Sequence, residues 1–154
     1  MRKSKLYLDT SVISAYFDKR KKERQVITKR WFRFSFARYH IFISEIVLFE
    51  INATKDNYLK KRMKSFVKDY PVLEVNKEIR YLAEIYTNEI FSEKNYRDAL
   101  HVAVASYYDM DAIVSWNFAH LVNFETKRMV RSINLANGYR EIDILSPLEF
   151  MGEI

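Results

Sequence analysis

Short apolar segments that alternate with helical patterns are the feature of this sequence that most restricts its fold. Five segments have the composition of buried strands, and longer segments with helical spacing of apolar residues separate them. The predicted strands are 5–8, 41–43, 72–75, 112–116 and 142–145. Parallel strands need long, usually helical connections. This alternation therefore predicts an α/β fold, a three-layer α/β/α sandwich around a mainly parallel central sheet.

Helical patterns fill the connections between the predicted strands. We predict helices at 11–17, 23–39, 45–52, 57–69, 77–91, 96–108 and 126–136. Ser44 and Asn95 precede two of these segments as expected N-caps, and Gly138 follows the last one as a stop. Because no long Pro-, Gly- or Ser-rich linker and no repeat interrupts the alternation, we expect residues 1–154 to form a single domain.

The scarcity of two residue types excludes several classes of protein. The chain has no cysteine, which excludes disulfide frameworks and cysteine-based zinc sites or nucleophiles. Its two glycines, Gly138 and Gly152, cannot build a glycine-rich phosphate loop or a dinucleotide-binding fingerprint. ATPases and GTPases of the P-loop type and Rossmann dehydrogenases are therefore excluded.

The positive net charge of the chain favours a polyanionic partner. The net charge of +6 favours contact with nucleic acid, although many basic proteins bind no polyanion. The basic residues expected to bind the nucleic-acid backbone are those of the stretches 19–24 and 60–64, together with Arg128 and Arg131.

The sequence contains no segment typical of a membrane or secreted protein. No apolar run approaches the roughly 20 residues of a membrane-spanning helix, and Asp9 interrupts any N-terminal signal sequence. We therefore expect a soluble, cytoplasmic protein with no membrane partner.

Four oxygen-bearing side chains fall where the predicted fold places ligand sites. Asp9 and Asn117 follow the first and fourth strands, and ligands of parallel α/β sheets bind beyond the carboxyl ends of the strands. Glu50 lies in an apolar helix, and Asp98 lies in the first turn of another. Each acid also has a structural alternative. Asp9 would serve as a helix N-cap, Glu50 would lie on a solvent-facing edge, and Asp98 would complement a helix N-terminus.

Taken together, the acids predict a site for a hard divalent cation. Several carboxylates at one crevice repel one another unless a proton or a cation neutralises them. Oxygen ligands without cysteine suit Mg²⁺ or Mn²⁺, and a basic surface around them favours a phosphodiester substrate. Two nearby histidines are expected to have other roles, His101 as a hydrogen-bonded core residue and His120 as polar loop surface.

Four segments carry a resemblance to a known family: LDTSVI, ISEIVLFEI, RDALHVAVA and DAIVSWNFAHLVN. In this order and spacing they resemble the PIN-domain family, and within it the VapC-type toxin ribonucleases, over residues 6–148. The resemblance implies a parallel sheet flanked by helices, a ribonuclease site that uses Mg²⁺ or Mn²⁺, RNA as substrate, frequent homodimers and, for a toxin, an antitoxin protein as partner. By position, Asp9, Glu50 and Asp98 match the acidic residues of the family. We expect these three and Asn117 as catalytic and metal-binding residues, with Asn117 as an auxiliary ligand, directly or through water, and with Thr10 and Ser115 as possible auxiliary residues.

Residue 117 departs from the family pattern. Many members carry Asp where this chain has Asn117, in the sequence SWN, so the expected pocket has one formal charge fewer. We expect weaker binding of a second metal ion, or a one-metal site in which Asn117 orients water. The expected reaction is in-line attack by water that the metal activates. Thr10 is expected to fix the Asp9 carboxylate, to contact water or to form a local turn bond.

Three alternatives stay open at the level of the sequence. An inactive relative would bind RNA or a protein without cleavage, and Asn117 is the reason to consider it. A haloacid-dehalogenase-like phosphatase also begins with a strand that ends in Asp, but Ser11 stands where that family needs a second acid. An interaction module is the third, because the aromatic segment 31–39 has more apolar surface than one core face requires. Such a surface would suit a dimer interface or an antitoxin groove.

Overall fold

Within residues 2–154, which the computed structural model describes, five strands form one sheet. The strands are β1 (Lys5–Leu8), β2 (His40–Ser44), β3 (Val72–Leu73), β4 (Ala112–Val114) and β5 (Asp143–Leu145). Their order in the sheet is β3-β2-β1-β4-β5, and every pairing is parallel. The predicted parallel sheet is confirmed, and all of its strands run in one direction.

Helices cover both faces of this sheet. The α-helices of the described chain are α1 (Thr10–Phe17), α2 (Lys22–Ser35), α3 (Glu45–Asn52), α4 (Asn57–Val67), α5 (Lys77–Glu89), α6 (Tyr96–Tyr107) and α7 (Phe124–Ala136). Right-handed crossovers place α1 to α4 on one face and α5 to α7 on the other, because the chain moves outward to β3 and then returns past β1 to β4. The contacts agree, since α1 packs on α2 and α4, whereas α5 packs on α6 and α7. The predicted three-layer sandwich is thus confirmed.

Two short 3₁₀ helices, Glu93–Asn95 and Pro147–Glu153, complete the secondary structure. None of the helices in residues 2–154 has the length and apolar composition needed to cross a membrane.

The two central strands are buried on both of their faces. Tyr7 and Leu8 of β1 and Ile113 and Val114 of β4 have no exposed surface. A strand between two layers of helices has apolar residues at every position instead of at alternate ones. This is why the sequence shows these strands as continuous apolar runs.

The aromatic segment 31–39 contributes mainly to the core. Trp31 and Phe32 are buried, and their rings pack edge to face with centroids 5.0 Å apart. Phe36 is the large apolar residue of this segment that stays exposed, at 76%. The predicted helix is too long at this end, because α2 stops at Ser35 and Phe36 lies at its C-cap. Core packing therefore uses most of the apolar surface that the sequence suggested for a partner.

Two of the predicted helix caps are confirmed and one is wrong. The side chains of Asp9 and Ser44 each accept a hydrogen bond from the backbone N–H two residues further on, at the starts of α1 and α3. Asn95 does not cap α6, because the 3₁₀ helix Glu93–Asn95 leads directly into it. The Asn95 side chain donates instead to the hydroxyl of Ser92, at 3.3 Å.

The order of the strands places a crevice at the centre of the sheet. β1 pairs with β2 on one side and with β4 on the other, with Leu8 opposite Val114. The chain leaves β1 toward one face of the sheet, and it leaves β4 toward the other. In open α/β sheets the ligand site lies beyond the carboxyl ends of the strands at such a reversal. Asp9 and Ser115 are the first residues beyond these two strand ends.

Candidate functional site

Asp9 lies at the carboxyl end of β1 between two serine hydroxyls, and it is 4% exposed. The hydroxyl of Ser11 donates to Oδ1 at 2.5 Å, and the hydroxyl of Ser115 donates to Oδ2. The same two hydroxyls accept the backbone N–H groups of Trp116 (2.8 Å) and Asn117 (2.9 Å). These bonds join the end of β1 to the end of β4 and hold the Asp9 carboxylate in one orientation.

Burial raises the pKa of Asp9 above its ordinary value. Removal from water disfavours the charged form. The attraction of His101 and the hydrogen bonds of Ser11 and Ser115 offset only part of this effect, and repulsion from Glu50 adds to it. The surroundings of Asp9 therefore compensate its negative charge incompletely, and a cation at this position would stabilise the carboxylate.

Glu50, in α3, is bound by residues from two other helices. Its Oε1 accepts a hydrogen bond from Thr10 Oγ1 of α1 at 2.8 Å and another from His101 Nε2 of α6 at 2.6 Å. The expectation that Thr10 fixes the Asp9 carboxylate is therefore wrong. The hydroxyl of Thr10 binds Glu50, and the serines take the role at Asp9. Ser115, assigned as an auxiliary residue, does contact Asp9.

His101 is the buried link between Glu50 and β1, with 3% of its surface exposed. Because a carboxylate only accepts hydrogen bonds, Nε2 of His101 donates to Glu50. Its Nδ1 lies 2.6 Å from the hydroxyl of Tyr7, which in turn lies 2.7 Å from the hydroxyl of Ser44. The expectation of a hydrogen-bonded core histidine is confirmed, but nothing in the sequence indicated Glu50 as its partner.

The same contacts favour the ionised form of Glu50. Burial pushes the pKa of Glu50 upward, but the hydrogen bond and charge of His101, the hydrogen bond of Thr10 and the charge of Arg97 outweigh it. The pKa of this carboxyl consequently lies below its ordinary value. Asp9 and Glu50 therefore differ, since the pKa of one is raised and that of the other is lowered.

Asp98, in the first turn of α6, is bound to the loop that follows β4. Its Oδ1 accepts from Asn117 Nδ2 at 3.3 Å, and its Oδ2 lies 3.0 Å from His120 Nδ1. The amide oxygen of Asn117 accepts the backbone N–H of His120, also at 3.0 Å. Asn117 thus connects Asp98 to Ser115 and, through it, to Asp9. His120, expected as polar surface, contacts a candidate acid directly. The only indication of this contact in the sequence was that His120 lies three residues after Asn117.

The donor atoms fit a hard cation, but they do not form a closed coordination site. Three carboxylates and one amide oxygen come from four segments that meet at the carboxyl edge of the sheet, and one of the carboxylates is buried and incompletely compensated. In residues 2–154, however, no three His, Asp or Glu side chains converge closely enough to hold a metal ion as they stand. Each acid is instead bound to its own neutral or histidine partners.

Comparison with known proteins gives one family and several similar solved structures. The model of the PIN domain matches residues 6–117. VapBC-1 from nontypeable Haemophilus influenzae shares 12% identity at a TM-score of 0.59, over 94% of this chain and 98% of that one. VapC20 from Mycobacterium tuberculosis, described as a sarcin-ricin loop cleaving toxin, shares 16% identity at a TM-score of 0.58, over 89% and 98%.

A third similar structure is VapBC2 from Rickettsia felis, solved with a DNA fragment from its promoter. It shares 11% identity at a TM-score of 0.58, over 92% of this chain and 98% of that one. Among curated protein sequences there is no match. At such identities the likeness concerns the fold, which is that of the VapC structures. Because the matched segment spans most of the chain and contains Asp9, Glu50, Asp98 and Asn117, this chain belongs to the PIN domain family.

Proposed function

We propose that this protein is a ribonuclease that hydrolyses RNA phosphodiester bonds and depends on Mg²⁺ or Mn²⁺. The observation that carries the proposal is the buried Asp9 carboxylate at the junction of β1 and β4, with its raised pKa and with Glu50 close enough to affect it. Membership of the PIN domain family and the VapC-like fold support the proposal, since VapC20 is described as cleaving an RNA loop.

The metal would be held by the carboxylates of Asp9, Glu50 and Asp98 and by the amide oxygen of Asn117. A divalent ion bound there would act as a Lewis acid: it would make water a better nucleophile and neutralise charge on the scissile phosphate. Ser11 and Ser115 keep Asp9 in place during the reaction, and Thr10 and His101 do the same for Glu50. His120 and Asn117 each contact one oxygen of Asp98, which leaves a lone pair on each oxygen with which Asp98 would bind the ion.

The biological role we propose is that of the toxin in a toxin–antitoxin pair. Support for this role comes from the solved structures with this fold, which include VapBC proteins and VapC20, a protein described as a toxin. We propose a cytoplasmic location as well, since RNA of the cytoplasm is the proposed substrate. We further propose that residues 1–154 form one domain that assembles as a homodimer and binds an antitoxin protein.

A second candidate function is binding of RNA or a protein partner without cleavage. Asn117 favours it, because its amide donates to Asp98 and so satisfies a carboxylate that a metal would otherwise bind. The two functions differ in one observable, the appearance of new RNA ends.

Cleavage of single-stranded RNA by the purified protein distinguishes the two functions. We expect Mn²⁺ to support cleavage, EDTA to stop it, and Asp9→Asn to lower the rate by at least about a hundredfold, because the variant removes a charge that binds the ion. Asp69→Asn is the matched control, since it removes the same charge from an exposed position on the segment after α4. It is expected to cleave like the wild type.

The melting temperatures of both variants should stay near that of the wild type, so that a lost rate reflects the site. Cleavage that persists in EDTA or in Asp9→Asn would assign the activity to another site or to a contaminant. No cleavage by the wild type in Mn²⁺, together with intact RNA binding, would favour the second function.

A further inference from the structure

A basic cavity of about 190 Å³ opens beside the candidate active site. Two of its walls belong to that site, because Ser11 binds Asp9 and Asn117 binds Asp98. Lys21 and Arg24, at the start of α2, also line the cavity and bring positive charge to it. A water molecule takes up about 30 Å³ in the liquid, so the cavity has room for an anion of the size of a phosphate group.

Arg24 is held in place by aromatic rings and not by an acid. Its guanidinium lies 4.7 Å from the centre of the Trp116 ring and 5.9 Å from that of Phe118. Among residues 2–154, no carboxylate lies within ion-pair distance of Arg24. The acid that lines the same cavity, Asp18, is bound by Arg20 at 3.0 Å. The charge of Arg24 is therefore oriented and available to a ligand.

The ring beneath Arg24 is itself fixed to α2. Trp116 is 5% exposed, and its Nε1 donates to the hydroxyl of Thr28 at 2.9 Å. That hydroxyl donates to the backbone carbonyl of Arg24 at 2.7 Å. This chain of two bonds fixes the distance between the first turn of α2 and the strand end that carries Asn117. An arginine with this support loses little conformational entropy when it binds an anion.

We propose that Arg24 and Lys21 bind the phosphate next to the scissile one in single-stranded RNA, and that Trp116 and Thr28 position Arg24 for this contact. The inference rests on the proposed function and adds a binding subsite to it. A phosphate is favoured over the carboxylate of an acidic peptide, because the cavity shares Ser11 and Asn117 with the candidate active site, where the proposed substrate is RNA. Phe118, 41% exposed and with its ring centre 5.9 Å from the guanidinium of Arg24, offers an aromatic surface for a neighbouring base.

The test measures binding of a fluorescein-labelled single-stranded RNA by anisotropy in EDTA, with the integrity of the RNA checked on a gel. Loss of a charge-assisted contact is expected to weaken binding by Arg24→Gln about tenfold and to lower the slope of log Kd against log salt by about 0.7. Arg80→Gln removes an equal charge from an exposed position on α5 and is the matched control, with an expected change below about twofold.

The supporting bonds are tested with Thr28→Val, which keeps the shape of the side chain and removes the hydroxyl. It should weaken binding about threefold while Lys21 and Arg24 both remain. Equal binding by Arg24→Gln and Arg80→Gln would overturn the subsite, and unchanged binding by Thr28→Val would overturn the positioning role. A hexaglutamate peptide that competes as well as RNA of equal charge would overturn the assignment to phosphate.

Failure of this inference is distinguishable from failure of the proposed function, because binding is measured without metal and cleavage with Mn²⁺. Wild-type cleavage with no effect of Arg24→Gln on Kd would refute the subsite alone. Binding that depends on Arg24 without any cleavage by the wild type would support Arg24 as a phosphate-binding residue and refute the nuclease, and with it the place of this phosphate beside a scissile one.

Discussion

The three candidate carboxylates differ in how their surroundings neutralise them. Asp9 is buried between two serine hydroxyls and has a raised pKa, whereas Glu50 accepts a hydrogen bond from His101 and has a lowered pKa. Asp98 accepts a hydrogen bond from the amide of Asn117 and lies 3.0 Å from the ring nitrogen Nδ1 of His120. The sequence predicted where the acids lie, Asp9 beyond the end of a strand and Glu50 and Asp98 on helices, and the structure has them there. Their contacts with His101 and His120 were not predicted, because these histidines come from distant segments and only the fold brings them together.

Asn117→Asp tests the residue at which this chain departs from the family pattern. The amide now donates to Asp98, so a carboxylate at this position would face another carboxylate across 3.3 Å. We expect a lower melting temperature in EDTA and a larger increase on addition of Mn²⁺ than in the wild type. Differential scanning fluorimetry with and without the ion measures both effects. Identical melting temperatures in both conditions would place residue 117 outside the metal site.

Tyr7→Phe tests the buried chain of hydrogen bonds behind Glu50. The variant keeps the ring, which is fully buried, and removes the hydroxyl that lies between Ser44 and His101. Leaving buried polar atoms without this partner is expected to lower the free energy of unfolding by about 1–3 kcal/mol. Urea denaturation gives this value. Tyr81→Phe, at a residue that is 66% exposed, should change stability by less than about 0.5 kcal/mol, and equal losses in both variants would refute the role of Tyr7.

At the scale of elements, strand positions were more predictable than helix ends. The apolar runs give the strands directly, because both faces of β1 and β4 are covered. Helix ends depend on local bonds that a pattern of apolar residues does not contain. Asn95, predicted as the cap of α6, ends the 3₁₀ helix that leads directly into α6, and its side chain makes no capping hydrogen bond. Gly138 does follow α7 and has φ = 81°, a conformation that favours glycine, in agreement with the predicted stop.

Asp111 connects three elements at the other end of the sheet. Its carboxylate accepts the backbone N–H of Lys5 at 2.7 Å and binds Arg2 at 3.0 Å, while its backbone carbonyl accepts the N–H of Asp143 from β5. Burial pushes the pKa of Asp111 upward, but these bonds and the charges of Arg2 and Arg140 outweigh it, so the pKa lies below its ordinary value.

Asp111→Asn is therefore expected to lose stability in a pH-dependent way. A carboxyl whose pKa is lower in the folded state stabilises the fold above its unfolded pKa of roughly 3.9, and this contribution disappears as the pH falls through the folded value. At pH 7 the variant should be less stable than the wild type by about 1 kcal/mol. Urea denaturation between pH 7 and pH 3 should show this difference shrinking toward zero. A difference that stays constant over this range would contradict the role of the charge.

At the scale of the whole molecule, the reversal of strand order determines where the candidate site lies. Composition and alternation were sufficient to predict the sandwich and to place Asp9 and Asn117 at one edge of it. They did not show which basic residues face that edge. Arg128 and Arg131 bind Glu125 and Glu141 at 3.0 Å and 2.8 Å, whereas Arg24, in the stretch 19–24, lines a cavity beside the site. One of these ion pairs lies within α7 and the other joins α7 to the segment before β5, and a net charge of +6 reveals neither of them.

Asp9, Glu50, Asp98 and Asn117 are proposed to hold a divalent ion together. Anomalous diffraction from crystals soaked in Mn²⁺ tests this proposal most directly, because the signal locates the ion without reference to activity. We predict a peak at the carboxyl ends of β1 and β4, with oxygens of Asp9 and at least one further acid of this set at about 2.0–2.4 Å. A Mn²⁺ peak only at another place on the protein, or no peak at this edge of the sheet at millimolar Mn²⁺, would contradict the proposed metal site.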